Sequence, residues 1–168
     1  VGSLWATLLR RKGMEVDLFE KRSDMRRDSA EGGRSINLVV TSRGVHGLEK
    51  AGLLSALDLA VPVYGRQIHA KDGGSAFQPY GKPSECNYSI SRSGLNRFLL
   101  DAAEQAGVRL HFNQVLDKID FPSKSLVFTP DSPMPRAPYD RLFGTDGAGS
   151  AVRRRMVESF PVCKDSVE

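Results

Sequence analysis

Apolar residues recur along this chain either at the spacing of a helix or in short runs that are typical of strands. Glycine and proline separate these segments, and residues 21–35 are polar and glycine-rich, which predicts a loop. Helices are predicted over residues 5–12, 41–50 and 53–59, and between residues 91 and 107. Strands are predicted over residues 15–19, 36–40, 65–70, 75–78, 88–91, 108–112, 115–121, 125–129 and 139–143.

Two of these segments carry the most specific local signals. Ser91 or Ser93 can cap the helix that Gly107 ends, and the apolar face of that helix comprises Leu95, Phe98, Leu99, Ala102 and Ala103. The strands at 65–70 and 75–78 flank the turn residues 71–74, which is a good hairpin signal. Pro62 is expected to break the helical turn before it, and residues 130–138 to close the meander. The alternation of elements predicts an α/β fold with a parallel core and an antiparallel β insertion.

The most informative stretch runs from Asp146 to Arg153, where an acid is followed by small residues and then by a basic helix-forming segment. Small residues let a backbone approach a ligand closely, and a helix N-terminus presents unpaired N–H groups to anions. An aspartate before such a turn can fix a sugar hydroxyl. This stretch therefore predicts a nucleotide cofactor site.

The start of the chain predicts a second half of that site. In a dinucleotide-binding βαβ unit, glycines open the first helix, and an acid about 20 residues on binds the ribose hydroxyls at the tip of the second strand. Gly2 and Glu20 match the later part of this unit. The alternative is an ordinary helix–strand pair with an exposed glutamate. On the cofactor interpretation, the first strand and two further glycines would precede Val1, and the chain would be a fragment.

Composition is ordinary for a soluble enzyme and fits one domain. The chain has 168 residues, 26% of them charged, with a net charge of +4. The basic run 153–155 is better explained as a solvated helix end or an anion contact than as a nucleic-acid surface, since no basic face with interleaved aromatics is visible. Cys86 and Cys163 have no metal-ligand spacing, and His46, His69 and His111 are isolated, so no metal site is expected. No apolar run is long enough to span a membrane.

Several motifs resemble those of the flavin-dependent aromatic hydroxylases, over residues 1 to about 156. Asp146-Gly147 matches the Asp-Gly motif shared by the whole family. The other motifs resemble the branch that hydroxylates L-kynurenine, and they comprise Gly33-Arg34-Ser35-Ile36-Asn37-Leu38, Ser42-Arg43-Gly44, Pro79-Tyr80-Gly81 and Ser91-Arg92-Ser93-Gly94-Leu95-Asn96. The resemblance implies a Rossmann-like FAD-binding domain with an antiparallel β insertion, truncated at both ends.

The resemblance also implies roles for individual residues. Glu20 would hold the adenosine ribose of FAD, Arg92 would contact its phosphate or ribityl region, and Leu116 would line the adenine side. Arg66 and Tyr80 would hold the amino-acid carboxylate of L-kynurenine; otherwise Arg66 is a surface ion-pair partner and Tyr80 an edge aromatic. The implied cofactor contacts are Val1, Gly2, Phe19, Glu20, Lys21, Arg22, Val39, Arg92, Leu116, Asp146, Gly147 and Ala151.

The reaction implied for a full-length enzyme uses FAD, NADPH and O2, and converts L-kynurenine to 3-hydroxykynurenine in tryptophan catabolism. The cofactor performs the oxygen chemistry, so no catalytic side chain is assigned. Residues 1–156 would form a partial FAD-binding domain, with part of the substrate region at about 62–91, and residues 157–168 match nothing in the family. A later Gly-Asp segment would lie beyond Glu168.

Two other functions stay open at the level of sequence. One is a related flavoprotein, either a hydroxylase of another aromatic acid or a reductase; the other is a non-catalytic truncated gene product. The fragment alone is expected to be inactive, poorly stable and weak in FAD binding, since a missing strand would expose apolar neighbours. Location would be cytoplasmic for a bacterial enzyme and the mitochondrial outer membrane for a eukaryotic one.

Overall fold

A computed structural model describes residues 1–27 and 36–160 of the chain. The Gly33–Ser35 part of the first family motif, Cys163, and the rest of residues 161–168 lie outside the described residues.

Four α-helices lie in the described part of the chain. They are α1 (Gly2–Arg11), α2 (Ser42–Lys50), α3 (Arg92–Gln105) and α4 (Ala151–Ser159), with a 3₁₀ turn at Leu54–Leu59. The Ser91 hydroxyl caps α3 by accepting a hydrogen bond from the Gly94 amide, as one of the two predicted caps. None of the helices in residues 1–27 and 36–160 has the length and apolar character needed to cross a membrane.

Ten strands form four small sheets in the same residues. They are β1 (Asp17–Phe19), β2 (Asn37–Val40), β3 (Ala60–Val63), β4 (Gly65–His69), β5 (Ser75–Pro79), β6 (Asn87–Ser91), β7 (Arg109–His111), β8 (Leu116–Asp120), β9 (Ser125–Phe128) and β10 (Arg136–Pro138). Strands β1 and β7 pair in parallel, and the other three sheets are antiparallel, in the orders β2-β6-β3, β4-β5 and β10-β9-β8. The predicted α/β fold with a parallel core and an antiparallel insertion is therefore confirmed.

The parallel pair is covered by α1 and α3. Ala6 of α1, Ala103 of α3 and Val108 before β7 are buried together, and Leu18 and Leu110 of the two strands pack against them. Alanines at the contact let both helices approach the strands closely, because a methyl group is the smallest side chain that still excludes water. This packing sets the direction in which β1 delivers Glu20 at its carboxyl end.

The remaining core lies in two clusters on either side of this unit. One joins α2, the 3₁₀ turn and α3 through Leu48, Ala51, Leu53, Ala56 and Leu99. The other lies under the β8-β9-β10 meander and comprises Ile119, Leu126, Phe128 and Ala137.

Two local predictions were wrong, and one strand was missed. Residues 139–143 form no strand, since none of the described strands pairs with them. The 3₁₀ turn ends at Leu59, before Pro62, as expected, but β3 was not predicted; Pro62 lies within it, on an edge strand, where proline is tolerated. Residues 136–138 form β10 within the segment that was predicted to be a closing loop.

Candidate functional site

The start of α1 and the Asp146 turn come together, as the two predicted half-sites require. An added Cβ on Gly2 would lie 2.7 Å from Thr145 Oγ1 and 3.4 Å from Leu18 Cδ1. Gly2 is therefore a close approach between the helix, the first strand and the residue before Asp146. Nearby, the Trp5 and Phe143 rings pack edge to face with centroids 5.6 Å apart.

The N-terminus of α1 has the features of an anion-binding helix end. Val1 is its N-cap residue and makes no side-chain cap hydrogen bond, and the first turn contains no acidic residue. The Val1 carbonyl oxygen accepts the hydrogen bond from the Trp5 amide at 3.0 Å. The first amides of α1 therefore point out of the helix without a side-chain acceptor, which suits a phosphate.

Glu20 lies at the carboxyl end of β1, where the ribose acid was predicted. Its backbone is held on both sides: its amide donates to the His111 carbonyl at 2.8 Å, and its carbonyl accepts from the Gln114 amide at 2.9 Å. One carboxylate oxygen accepts from the Arg22 amide at 2.9 Å, and the side chain is exposed. The backbone is thus fixed while the carboxylate faces solvent, beside the exposed residues Lys21 and Arg22.

The side chains of Phe19 and Leu116 pack against the core cluster of the β8-β9-β10 meander, next to this strand tip. The Phe19 ring stacks on the His111 ring with centroids 4.7 Å apart and lies 5.0 Å from the Phe128 ring. Leu116 pairs with Phe128 across β8 and β9 and packs against the same cluster. Both residues are half-buried.

The Asp146 carboxylate is turned toward its own helix. One oxygen accepts hydrogen bonds from the amides of Ala151 at 2.6 Å and Val152 at 3.2 Å, and the other accepts from the Ser150 hydroxyl. Burial raises the pKa of Asp146, but the Ser150 hydroxyl and these amides outweigh it and hold the pKa below its usual value. The helix amides that were predicted to bind an anion are here bonded to the aspartate itself. The backbone of Gly147 has φ +78°, a conformation that would be strained for any residue with a side chain.

Val39 lies on the β2-β6-β3 sheet, and Arg92 directly follows β6 as the first residue of α3. Arg92 is exposed at the start of α3, and its amide donates to the Ile36 carbonyl at 3.2 Å. Val39 is 61% exposed on β2 and pairs with Ser89 of β6. Both side chains are accessible to a ligand, and neither is used by the core.

Arg66 and Tyr80 come together on the β4–β5 hairpin. Arg66 pairs with Gln78, and the Tyr80 amide donates to the Tyr64 carbonyl at 2.9 Å, which extends the pairing by one position. Side chains two positions apart on a strand share a face, so Arg66 and Tyr80 are diagonal neighbours on one face of the hairpin. Tyr80 is 48% exposed and Arg66 is exposed, so neither is a core residue.

Sequence reasoning missed an ion-pair network behind the strand tip. Arg26 binds both carboxylate oxygens of Asp24, and it also donates to Asp101 at 3.0 Å and to Glu104 at 2.7 Å on α3. The Phe112 ring lies 5.9 Å from its guanidinium carbon. Polar composition identified residues 21–27 as a loop but not the helix to which the loop is tied. The spacing of Asp24 and Arg26 was the only available signal.

Comparison with solved structures defines the class of fold. The chain resembles 2-methyl-3-hydroxypyridine-5-carboxylic acid oxygenase with a TM-score of 0.74 and 23% identity, over 92% of this chain and 39% of that one. It resembles PqsL of Pseudomonas aeruginosa, a probable FAD-dependent monooxygenase, with a TM-score of 0.72 and 20% identity, over 93% and 42%. At this identity the likeness shows the fold alone, and that fold is the one the sequence predicted.

Sequence relatives narrow the resemblance to one branch. Kynurenine 3-monooxygenase of Myxococcus xanthus is 44% identical over 173 residues, which cover 100% of this chain and 37% of that protein. The kynurenine 3-monooxygenases of Xanthomonas campestris and Stenotrophomonas maltophilia are 44% and 42% identical, over 96% and 98% of this chain. The resemblance predicted from the motifs is confirmed. No family model matches the chain. The chain spans little more than a third of the length of these relatives.

Proposed function

We propose that residues 1–156 are part of the FAD-binding domain of a monooxygenase that hydroxylates L-kynurenine to 3-hydroxykynurenine with NADPH and O2. The observation that carries this proposal is the 44% identity to a kynurenine 3-monooxygenase over the whole chain. Helix α4 continues to Ser159, so the first part of the unassigned tail is helical.

The residues at the strand tip fit FAD. The uncapped start of α1 suits a diphosphate, since its amides carry partial positive charge and its first turn has no competing acid. Gly2 has no room for a side chain against Thr145, which keeps the backbone close to whatever occupies the turn. Glu20 places an exposed carboxylate at the tip of β1, where it can accept hydrogen bonds from ribose hydroxyls.

FAD, when bound, supplies the redox and oxygen chemistry. The side chains of this chain bind and orient. Glu20 holds the sugar end of the cofactor, and Arg92 contributes positive charge toward its phosphate or ribityl region. Arg66 and Tyr80 would hold the substrate carboxylate and so fix the orientation of the aromatic ring.

The hairpin geometry supports the substrate assignment. A guanidinium offers a planar fork of donors that matches a carboxylate, and a phenol on the same face adds one hydrogen bond. No carboxylate among the described residues lies within 4.0 Å of the Arg66 guanidinium, in contrast to Arg109, which binds Asp17 and Glu15. The charge of Arg66 is therefore not neutralised by this part of the chain.

Substitution of the clamp tests the proposal. In the full-length holoenzyme, Arg66→Ala should raise the KM for L-kynurenine by about 30-fold to a few thousand-fold, because truncating one partner of a charge pair costs about 2–5 kcal/mol. Arg66→Lys should also raise KM, since an ammonium does not reproduce the planar fork. Tyr80→Phe should raise KM by about 2- to 12-fold, the equivalent of 0.5–1.5 kcal/mol. The measurement is NADPH oxidation stimulated by L-kynurenine.

The FAD content of each variant serves as the folding control. An Arg66→Ala enzyme that keeps its FAD and its wild-type KM would place the carboxylate site elsewhere and reduce the substrate to an unspecified aromatic. A full-length enzyme that oxidises another aromatic acid, and not L-kynurenine, would support the alternative of a different hydroxylase.

A further inference from the structure

Gln78 is the hydrogen-bond partner of Arg66 on the hairpin. Its side-chain oxygen accepts a hydrogen bond from Arg66 Nε at 2.8 Å, and the two residues lie directly opposite each other in the register of β4 and β5. An Arg66 that donates through Nε keeps both terminal nitrogens for another acceptor. The two terminal nitrogens form one of the two forks with which arginine can bind a carboxylate side by side.

The chemical type of the Gln78 side chain matters as much as its position. An amide oxygen orients the guanidinium without adding charge, whereas a carboxylate at the same place would neutralise it. Arg109 shows the second case in this chain, because Asp17 and Glu15 occupy its nitrogens at 2.7–2.9 Å. An arginine that binds an incoming anion therefore requires a neutral orienting partner, such as an amide oxygen.

The opposite face of the hairpin holds the two strands in close register. A Cβ on Gly65 would lie 2.5 Å from the Gln78 carbonyl oxygen and 2.4 Å from the nearest carbon of the Phe77 ring. The Phe77 ring therefore covers Gly65 on the face away from Arg66. This contact leaves little freedom to slide β4 along β5, and it keeps Gln78 opposite Arg66.

We propose that Gln78 is a positioning residue for substrate binding, which fixes the Arg66 guanidinium so that its terminal nitrogens face the carboxylate of an amino-acid substrate. The inference rests on the proposed function, and it adds a residue that acts through Arg66 and does not itself contact the substrate. Tyr80, on the same face, completes the carboxylate site.

Kinetics of Gln78 variants in the full-length holoenzyme test the proposal. Gln78→Leu should raise the KM for L-kynurenine about 3- to 10-fold with kcat unchanged, the size expected for losing one hydrogen bond that orients a charge. Gln78→Glu should raise KM further than Gln78→Leu, since its carboxylate competes with the substrate for the guanidinium. An amine analogue of kynurenine that lacks the carboxylate should be bound equally by the wild type, Gln78→Leu and Gln78→Glu.

Gln67→Leu is the matched control, because Gln67 lies on the same strand as Arg66 but on the other face, bonded to Ser75. It should leave KM unchanged, and in an Arg66→Ala background Gln78→Leu should have no further effect. If Arg66→Ala raises KM and Gln78→Leu does not, the inference is overturned while the proposed function stands. If Arg66→Ala leaves KM unchanged, the carboxylate clamp and the role of Gln78 fail together. Equal effects of Gln78→Leu and Gln67→Leu would indicate a general hairpin effect and overturn the inference as well.

Discussion

Replacing Arg26 should destabilise the protein more than any other single change of a surface-loop charge. Its side chain is 17% exposed and that of Asp24 is 8% exposed, and they share hydrogen bonds of 2.9 and 2.7 Å. Arg26→Met keeps the length and the apolar stem but leaves the Asp24 carboxylate buried without its cation. Breaking a buried pair in this way costs about 3–5 kcal/mol, whereas the exposed bonds to Asp101 and Glu104 add at most about 1 kcal/mol each.

The neighbouring arginine provides the control. Arg27 is 87% exposed and approaches Asp24 only to 3.9 Å. Arg27→Met should therefore change the free energy of unfolding by no more than about 0.5 kcal/mol. Urea unfolding of the wild type, Arg26→Met and Arg27→Met at pH 7 measures the difference in the free energy of unfolding. Equal losses for Arg26→Met and Arg27→Met would refute the argument that burial, and not charge alone, gives this pair its strength.

The same pair predicts a pH dependence. Hydrogen bonds from the Arg26 guanidinium hold the pKa of Asp24 below its usual value, against burial, which raises it. A carboxyl whose pKa is lowered on folding contributes stability above its unfolded pKa of about 3.9, and that contribution is lost as pH falls through the folded pKa. In Arg26→Met, burial, the backbone hydrogen bond from residue 26 and the weaker attraction of Arg27 remain, but the side-chain hydrogen bonds are lost, so the pKa of Asp24 should rise. The gap in stability between wild type and variant should then narrow as pH falls from the Asp24 pKa of the variant through the lowered pKa of the wild type, below about 3.9.

Two further predictions concern the proposed cofactor site. Glu20→Ala in the full-length enzyme should weaken FAD binding by about 1.5–3 kcal/mol for each charged hydrogen bond lost to the ribose, with the thermal transition unchanged; unaltered FAD affinity by fluorescence titration would remove Glu20 from the site. Ser150→Ala should cost about 0.5–2 kcal/mol of stability, because Ser150 accepts from the Arg153 amide at 3.0 Å and caps α4; an unchanged unfolding midpoint would show that Asp146 alone suffices as the cap.

Local pattern was enough to predict most elements, because each depends on residues close together in sequence. Helix α3 shows this best: its apolar face, its Ser91 cap and the glycine that ends it at Gly107, with φ +87°, all lie within one short segment. The hairpin was equally local, since its strands flank a four-residue turn. The length of that turn sets the register of β4 and β5, in which Arg66 lies opposite Gln78.

The failures concern interactions between distant parts of the chain. Arg26 is 75 and 78 positions from its partners Asp101 and Glu104, and no spacing rule connects them. A strand at residues 139–143 requires a neighbour that the described residues do not supply. The sequence was enough to predict that Asp146 lies at a helix N-terminus. Whether its carboxylate accepts hydrogen bonds from a sugar hydroxyl or from the amides of its own helix depends on three-dimensional geometry.

We have proposed that this chain is part of an enzyme that inserts one atom of O2 into L-kynurenine with FAD and NADPH. The most direct measurement incubates the FAD-loaded full-length enzyme with L-kynurenine, NADPH and isotopically labelled dioxygen, and analyses the products by mass spectrometry. The expected product is 3-hydroxykynurenine that carries one labelled oxygen atom. No 3-hydroxykynurenine should form when FAD or NADPH is left out. An FAD-loaded enzyme that consumes NADPH without forming this product would contradict the proposal.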